Sequence, residues 1–267
     1  MITLEDKYVV VDGRRIRYVE AGSGPSIVML HGLGFDAAAE QWYELIERLA
    51  PGNHCIAFDM FGWGLSERPA DGYSLDAWTS TVVGLLGELG IQRATLVGHT
   101  LGGWVMGIVA HDHPELVDKL ILASPASLNT TAPRSVDGFS IPDRHAVRER
   151  MLYHYVRPEL VTDDFVEKVY QRTSQPGVYE SYTAVLRYIN DPEIRSGLGL
   201  SNYLAGIKAP TLVTWEKDNK AISWEHSAKV MELLPNGKLF LMEDSAYFSM
   251  ARRPDEYAAA VKEFLAS

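Results

Sequence analysis

The 267-residue chain has one cysteine, Cys55, which excludes an intramolecular disulfide and any thiolate metal cluster. No apolar run approaches the roughly 18 residues that cross a bilayer. Met1 to Val11 carries Glu5, Asp6 and Lys7 where a secretion signal needs its apolar stretch. Positive charge is scarce: 25 Lys and Arg stand against 35 Asp and Glu, giving a net charge of −10. That balance argues against a nucleic-acid partner, because phosphates favour basic surfaces. Histidine is absent after His226, and no internal repeat or low-complexity tract occurs. These absences lead to the expectation of a cytoplasmic protein, a monomer or homodimer. Its partner would be a small molecule, with neither membrane nor nucleic acid involved.

What is present is a globular composition, 46% hydrophobic and 22% charged, in a chain long enough for one or two domains. Tyr8 to Val11, Asp12-Gly13 and Ile16 to Val19 read as a β-hairpin with an Asp-Gly turn. Short apolar runs suited to buried strands follow at Ser26–Leu30, His54–Phe58, Ala94–Val97, Lys119–Ala123, Thr211–Trp215 and Lys238–Leu241. Between them lie helical patterns at Trp42–Leu49, from an N-cap at Ser74 to Leu89, at Gly102–His111, and at Pro254–Leu265. Buried strands alternating with helices predict an α/β fold with a mostly parallel eight-stranded sheet covered on both faces. The alternation breaks between about residues 126 and 209, where the sequence turns polar, aromatic and helical. The expected organisation is therefore a core from 1–125 and 210–267, with 126–209 as a helical cap.

Gly98-His99-Thr100-Leu101-Gly102 follows one predicted strand and opens one helix, the setting of a nucleophile elbow. The same glycines also suit an ordinary tight strand-to-helix turn. His31-Gly32-Leu33-Gly34 follows the Ser26–Leu30 strand, and the D-x-x-G-x-G-x-S stretch from Asp59 to Ser66 follows the next. With the late Asp218, these motifs make the chain resemble the α/β-hydrolase superfamily over essentially its whole length. Within it the chain is most similar to the carbon–carbon hydrolases that act on meta-cleavage products of aromatic rings, and to related esterases.

The resemblance implies roles. Thr100 takes the nucleophile position and Asp218 the acid position, and the backbone N–H groups of Leu33 and Leu101 would form the oxyanion hole. The family histidine aligns with Tyr247. A Thr–Asp–Tyr set changes the chemistry. Tyrosine, with a pKa about 10, donates a hydrogen bond near pH 7 and is no base. Threonine adds a branched carbon where the elbow demands positive φ. Losing the base typically leaves only about 10³–10⁴-fold catalysis. Other departures surround the same pocket. Glu216 stands where glycine is common, Phe61 where proline is frequent, and Phe35 and Asp36 follow the oxyanion turn.

Intact scaffold motifs beside a changed pocket suggest retuning, natural or engineered. The expected activity is that of a hydrolase-like enzyme on a small carbonyl-containing or aromatic substrate. It would act on a carbon–carbon or ester bond, or as a cofactor-free lyase or proton-transfer enzyme. Glu216, Asp218 or Asp36 would then be the base and Tyr247 the donor. The rival reading is a non-catalytic protein that binds a small ligand under its cap. Arg187 is a candidate to hold a substrate carboxylate, as a cap arginine does in ring-cleavage hydrolases, and is equally readable as a solvated side chain.

No cofactor is expected. Gly32-Leu33-Gly34-Phe35-Asp36-Ala37, with Asp59 ending the next strand, mimics a dinucleotide fingerprint, but a hairpin precedes the strand and the elbow follows. The histidines show no metal-ligand spacing. His31 and His99 read as scaffold residues, His99 with its side chain turned under the elbow, and His226 as a surface residue.

Overall fold

The structure is a computed structural model that describes residues 4–128, 136, 139–154, 158–243, 245 and 248–267. Eight strands form one sheet: β1 (Lys7–Val11), β2 (Arg14–Ala21), β3 (Ser26–Leu30), β4 (His54–Phe58), β5 (Ala94–His99), β6 (Val117–Ala123), β7 (Thr211–Glu216) and β8 (Gly237–Met242). Their order is β1-β2-β4-β3-β5-β6-β7-β8. The β1/β2 and β2/β4 pairs are antiparallel and the rest parallel. Asp12 and Gly13 both take positive φ, +50° and +76°, as a two-residue hairpin turn requires. The predicted α/β fold and eight-stranded sheet are those observed.

The helices are α1 (Tyr43–Leu49), α2 (Leu75–Glu88), α3 (Leu101–Asp112), α4 (Arg144–His154), α5 (Asp163–Thr173), α6 (Val178–Asn190), α7 (Pro192–Gly197), α8 (His226–Leu233), α9 (Ser249–Arg252) and α10 (Pro254–Leu265). Ser74 caps α2 as expected, its side chain accepting from the Ala77 N–H at 3.2 Å. Apolar residues of α2 and α3 pack on one face of the sheet, and those of α1, α9 and α10 on the other. Every residue of β5 and β7 is buried, which explains their unbroken apolar runs. The approach of α3 to the strands is set by glycine, since a Cβ on Gly102 would fall 2.5 Å from the Leu30 carbonyl oxygen.

Helices α4 to α7 lie between β6 and β7 and rest on loops that leave the sheet's C-terminal edge. Ser181 Oγ donates to the Gly62 carbonyl at 3.1 Å, Arg172 to the Asp36 carbonyl at 3.1 Å, and Trp104 Nε1 in α3 to the Leu198 carbonyl at 2.7 Å. Among the described residues no helix is long and apolar enough to cross a membrane.

The D-x-x-G-x-G-x-S stretch is scaffold. Asp59 Oδ1 accepts from the Ala39 N–H at 2.7 Å and Oδ2 from the Leu65 N–H at 2.8 Å, so one buried carboxylate closes two loops. Ser66 Oγ donates to the Asp59 carbonyl at 2.6 Å and accepts from the Arg17 N–H at 2.8 Å. With these partners and Arg17 beside it, Asp59 is committed to the fold and not to a ribose.

Candidate active site

Thr100 sits at the β5–α3 junction with φ +47° and is buried. Its N–H donates to the Ala123 carbonyl at 3.0 Å, and its own carbonyl accepts from Trp104 and Ala126 at 3.1 and 3.0 Å. A β-branched residue in this region costs about 1–3 kcal/mol unless its surroundings hold it there. The Leu33 N–H donates to Thr100 Oγ1 at 3.2 Å. Thus one of the two expected oxyanion donors already meets the hydroxyl at the elbow tip. Leu101 is buried as the first residue of α3.

The turn expected to carry an oxyanion donor is fixed from below. His31 Nε2 accepts from the Met60 N–H at 3.1 Å while Nδ1 meets the Gly32 carbonyl at 2.9 Å, so the proton belongs on Nδ1. Burial holds the His31 pKa below the usual histidine range, with Arg172 adding to the effect. Gln41 Oε1 accepts from the Gly32 N–H at 3.1 Å. A Cβ on Gly32 would lie 2.6 Å from Thr100 Oγ1 and 2.8 Å from His99 Nδ1, so both side chains crowd this glycine. His99 is fully buried and edge-on to Phe248, with ring centroids 5.1 Å apart. Phe248 itself takes φ +77°.

The acid position differs from expectation. Strand β7 ends at Glu216, and Asp218 beyond it is exposed. Asn219 is the residue that turns inward. Its Oδ1 accepts from the N–H groups of Ala221 and Ile222, both at 3.0 Å, in an Asx-type turn that aims its amide at Glu216. Glu216 is buried. It accepts from Ser124 Oγ at 2.7 Å, Asn219 Nδ2 at 2.9 Å and the Ser249 N–H at 3.1 Å. Although two residues apart, Glu216 and Asp218 do not form a carboxylate pair, because the chain leaves the strand before residue 218. Nor does Glu216 pair with a surface lysine, as Lys217 is bonded to Glu243. Glu216 ties the start of α9 to the ends of β6 and β7.

Asp36 is also engaged. Arg150 of α4 donates to Asp36 Oδ2 at 2.6 Å, and its guanidinium lies over the Phe35 ring. Arg172 of α5 pairs with Glu40 at 2.9 Å, and Glu40 in turn meets Arg17 at 3.2 Å. Burial opposes charge on Glu40, yet Arg172 and Arg17 outweigh it and hold its pKa below the usual carboxylate range. A cavity of about 30 Å³ opens here, between the oxyanion turn and α4–α5, and its wall includes Gly32, Gln41, Arg150, Arg172 and Phe248.

Three other expectations are resolved by placement. Phe61 is fully buried, stacked on Tyr73 at 5.6 Å with Arg14 over its ring, so it belongs to the aromatic core and not to this cavity. Arg187 is exposed, because α6 buries the stripe through Val178, Tyr182, Val185 and Ile189 and turns residue 187 outward. Phe35 packs against Phe139 and Tyr182. Tyr247 lies outside the described residues.

Sequence reading missed Gln41, Ser124, Arg150, Arg172 and Asn219. Only Asn219 had a local signal, an Asn placed to start a turn after a buried strand; the others have none. Among the described residues no group of three or more His, Cys, Asp or Glu side chains is arranged to hold a metal ion.

Comparison with known proteins matches the arrangement. A family model described as the alpha/beta hydrolase fold covers residues 25–251. The chain is 30% identical over 266 residues to a 2-hydroxymuconate semialdehyde hydrolase from Pseudomonas sp. strain CF600, covering 97% of this chain and 93% of that one. It superposes on the 2-hydroxy-6-oxo-6-phenylhexa-2,4-dienoate hydrolase of Rhodococcus sp. strain RHA1 with a TM-score of 0.86 at 20% identity, over 100% of both chains. A meta-cleavage product hydrolase variant from Pseudomonas fluorescens IP01 gives 0.81 at 23% identity, over 97% of each chain. With its eight-stranded sheet, its elbow at Thr100 and a family match over most of its length, this chain belongs to the α/β-hydrolase family.

Proposed function

We propose that this protein is a hydrolase-class enzyme for a small carbonyl compound, bound between the Thr100 elbow and a helical cap formed by residues 126–209. The observation that carries the reading is the retained elbow. Thr100 keeps φ +47° despite its branched side chain, and its hydroxyl sits at the Leu33 N–H. Strain of about 1–3 kcal/mol, held at the tip of a strand-to-helix turn, marks a position kept for use. The Leu33 N–H that meets the Thr100 hydroxyl would meet a substrate oxygen as charge develops on it, with the Leu101 N–H as the second donor. The names of the relatives support carbon–carbon bond hydrolysis as the reaction, and 2-hydroxymuconate semialdehyde as the first compound to try.

The retuned proton-transfer route through a carboxylate base finds less support. Glu216 accepts from three donors, Asp36 holds Arg150, and Asp218 points to solvent. Those commitments favour, as the second reading, a protein that holds its ligand without turning it over.

Turnover separates the two readings. Purified protein and its Thr100→Ala variant are mixed with 2-hydroxymuconate semialdehyde and with p-nitrophenyl acetate, and substrate loss is followed by absorbance. Multiple turnovers that fall at least about tenfold in Thr100→Ala support the enzyme. Tight binding with no turnover in either protein supports the binder.

A further inference from the structure

The cavity lined by Gly32, the glycine that abuts Thr100 Oγ1, is too small for a carbonyl ligand of several carbons. Its volume is about 30 Å³, room for little more than a water molecule. Small-molecule sites usually measure about 300–1,000 Å³. A second cavity, of about 630 Å³, falls in that range. The two share four wall residues, Glu40, Phe165, Val169 and Arg172.

Three of the four come from α5, at positions i, i+4 and i+7, which is one face of the helix. The adjacent stripe, Asp164, Lys168 and Gln171, lines the larger cavity and is exposed, so that cavity opens to solvent. Its inner wall includes the buried side chains of Arg17 and Tyr43. One face of α5 thus stands between an open cavity of ligand size and a small one at the Gly32 turn.

That partition has a part that can move cheaply. Val169 is packed in the core, whereas Arg172 is a long side chain held by Glu40 at 2.9 Å and by the Asp36 carbonyl at 3.1 Å. If Arg172 turns into the open cavity, Glu40 still has Arg17 at 3.2 Å. No buried carboxylate is left without a cation, which is the event that makes breaking such a pair costly.

We infer that the larger cavity is the vestibule through which a small ligand reaches the Thr100 elbow, with the α5 face as its partition and Arg172 as the moving part. The inference rests on the reading of that elbow as the reacting end of the site, but its test needs no substrate and no turnover. Thr100→Cys places a thiol at the elbow tip. Cys55, the other thiol, is buried, and burial pushes its pKa up to about 12, so it stays unreactive. The rate at which methyl methanethiosulfonate labels the new thiol is followed by mass spectrometry. Gln171→Trp and Lys168→Trp, added separately at exposed positions, narrow the vestibule and should each slow labelling at least about tenfold. Glu193→Trp, exposed on α7, should leave it within about twofold. Arg172→Ala opens the partition and should speed labelling by about tenfold. Equal rates in the two vestibule variants and in Thr100→Cys alone would overturn the route, and so would a thiol that no reagent reaches. Slowed labelling in a protein without turnover would keep the vestibule and remove only the enzyme reading. If Arg172→Ala melts early, the two tryptophan variants still decide.

Discussion

The backbone N–H of Leu33 donates to the hydroxyl of Thr100 at 3.2 Å, so the residue in the nucleophile position occupies the donor proposed for a reacting oxygen. A ligand carbonyl that enters must displace that hydroxyl or share its donor. Removing the hydroxyl therefore acts in opposite directions on binding and on chemistry. Thr100→Ala should bind a carbonyl ligand as tightly as the parent or more tightly, while an enzyme loses turnover. Thr100→Ser keeps the hydroxyl and drops the methyl from a left-handed position, so it should stabilise the fold by about 0.5–1 kcal/mol. Denaturation midpoints and ligand titrations check both. Weaker ligand binding by Thr100→Ala would mean that the hydroxyl contacts the ligand directly.

Gly32 offers a steric test of the same contact. A Cβ there would lie 2.6 Å from Thr100 Oγ1 and 2.8 Å from His99 Nδ1. Gly32→Ala must push the threonine hydroxyl away from the Leu33 N–H or shift the turn. Overpacking of this kind costs about 1–3 kcal/mol. Activity should fall more than stability does, by tenfold or more on the scale of about 1.4 kcal/mol per decade. Wild-type turnover in a folded Gly32→Ala protein would show that the turn does not need its present geometry.

Glu216 and Asp218 are two residues apart in sequence and should behave as strangers. Glu216→Gln brings an amide N–H₂ toward the Asn219 amide, placing donor against donor where Ser124 and Ser249 also donate, at a cost of about 1–3 kcal/mol. Asp218→Asn alters an exposed side chain and should stay within about 0.5 kcal/mol of the parent, with unchanged turnover. Urea unfolding of both variants, beside a rate assay, decides. A large rate loss in Asp218→Asn would restore it as the acid.

Substitutions in α4 and α6 separate placement from proximity in sequence. Arg187→Ala should leave ligand binding and stability as they are, since the side chain faces solvent. Arg150→Ala should weaken both, because it removes the guanidinium that donates to Asp36, itself 8% exposed. Thermal melts with and without ligand measure the difference, and equal effects from the two variants would contradict the assignment.

Strands β3, β4, β5 and β7 were legible because each is a short run buried at nearly every residue, the β1/β2 hairpin because of its Asp-Gly turn, and the elbow because its glycines mark contacts a Cβ would break. For Arg187 the sequence left a carboxylate-binding and a solvated side chain equally open; the buried stripe of α6 through 178, 182, 185 and 189 is what turns it outward. Asp218 misled because an acid in about the right place looked sufficient. What decides is that β7 stops at Glu216 and that Asn219 binds the N–H groups of Ala221 and Ile222, which swings one side chain in and leaves the other out. Gln41, Arg150 and Arg172 converge only through tertiary packing of α4 and α5 over the oxyanion turn. No spacing within either helix announces that.

His31 supplies a prediction in pH. Its ring is 2% exposed, its Nε2 accepts from the Met60 N–H, and Nδ1 faces the Gly32 carbonyl. Protonation would put a second proton on Nε2, turn an acceptor against a donor and bury a charge. Burial chiefly, and Arg172 after it, hold the folded-state pKa below the ordinary value, while Asp59 opposes them. In the unfolded chain the same ring titrates near pH 6.5, about its unperturbed value. Between that value and the lower folded one, the unfolded state binds more protons, so stability must fall as pH falls through this window and not above it. His31→Gln keeps an acceptor for Met60 and a donor for Gly32 but cannot be protonated. It should be less stable than the parent at pH 7 through imperfect fit, and lose less on going from about pH 7 to about pH 5. Every other titrating group is common to both proteins and cancels in the comparison of urea midpoints. Parallel lines for parent and variant across that window would show that His31 takes its proton as readily in the folded protein as in the unfolded chain, contrary to its place beneath the oxyanion turn.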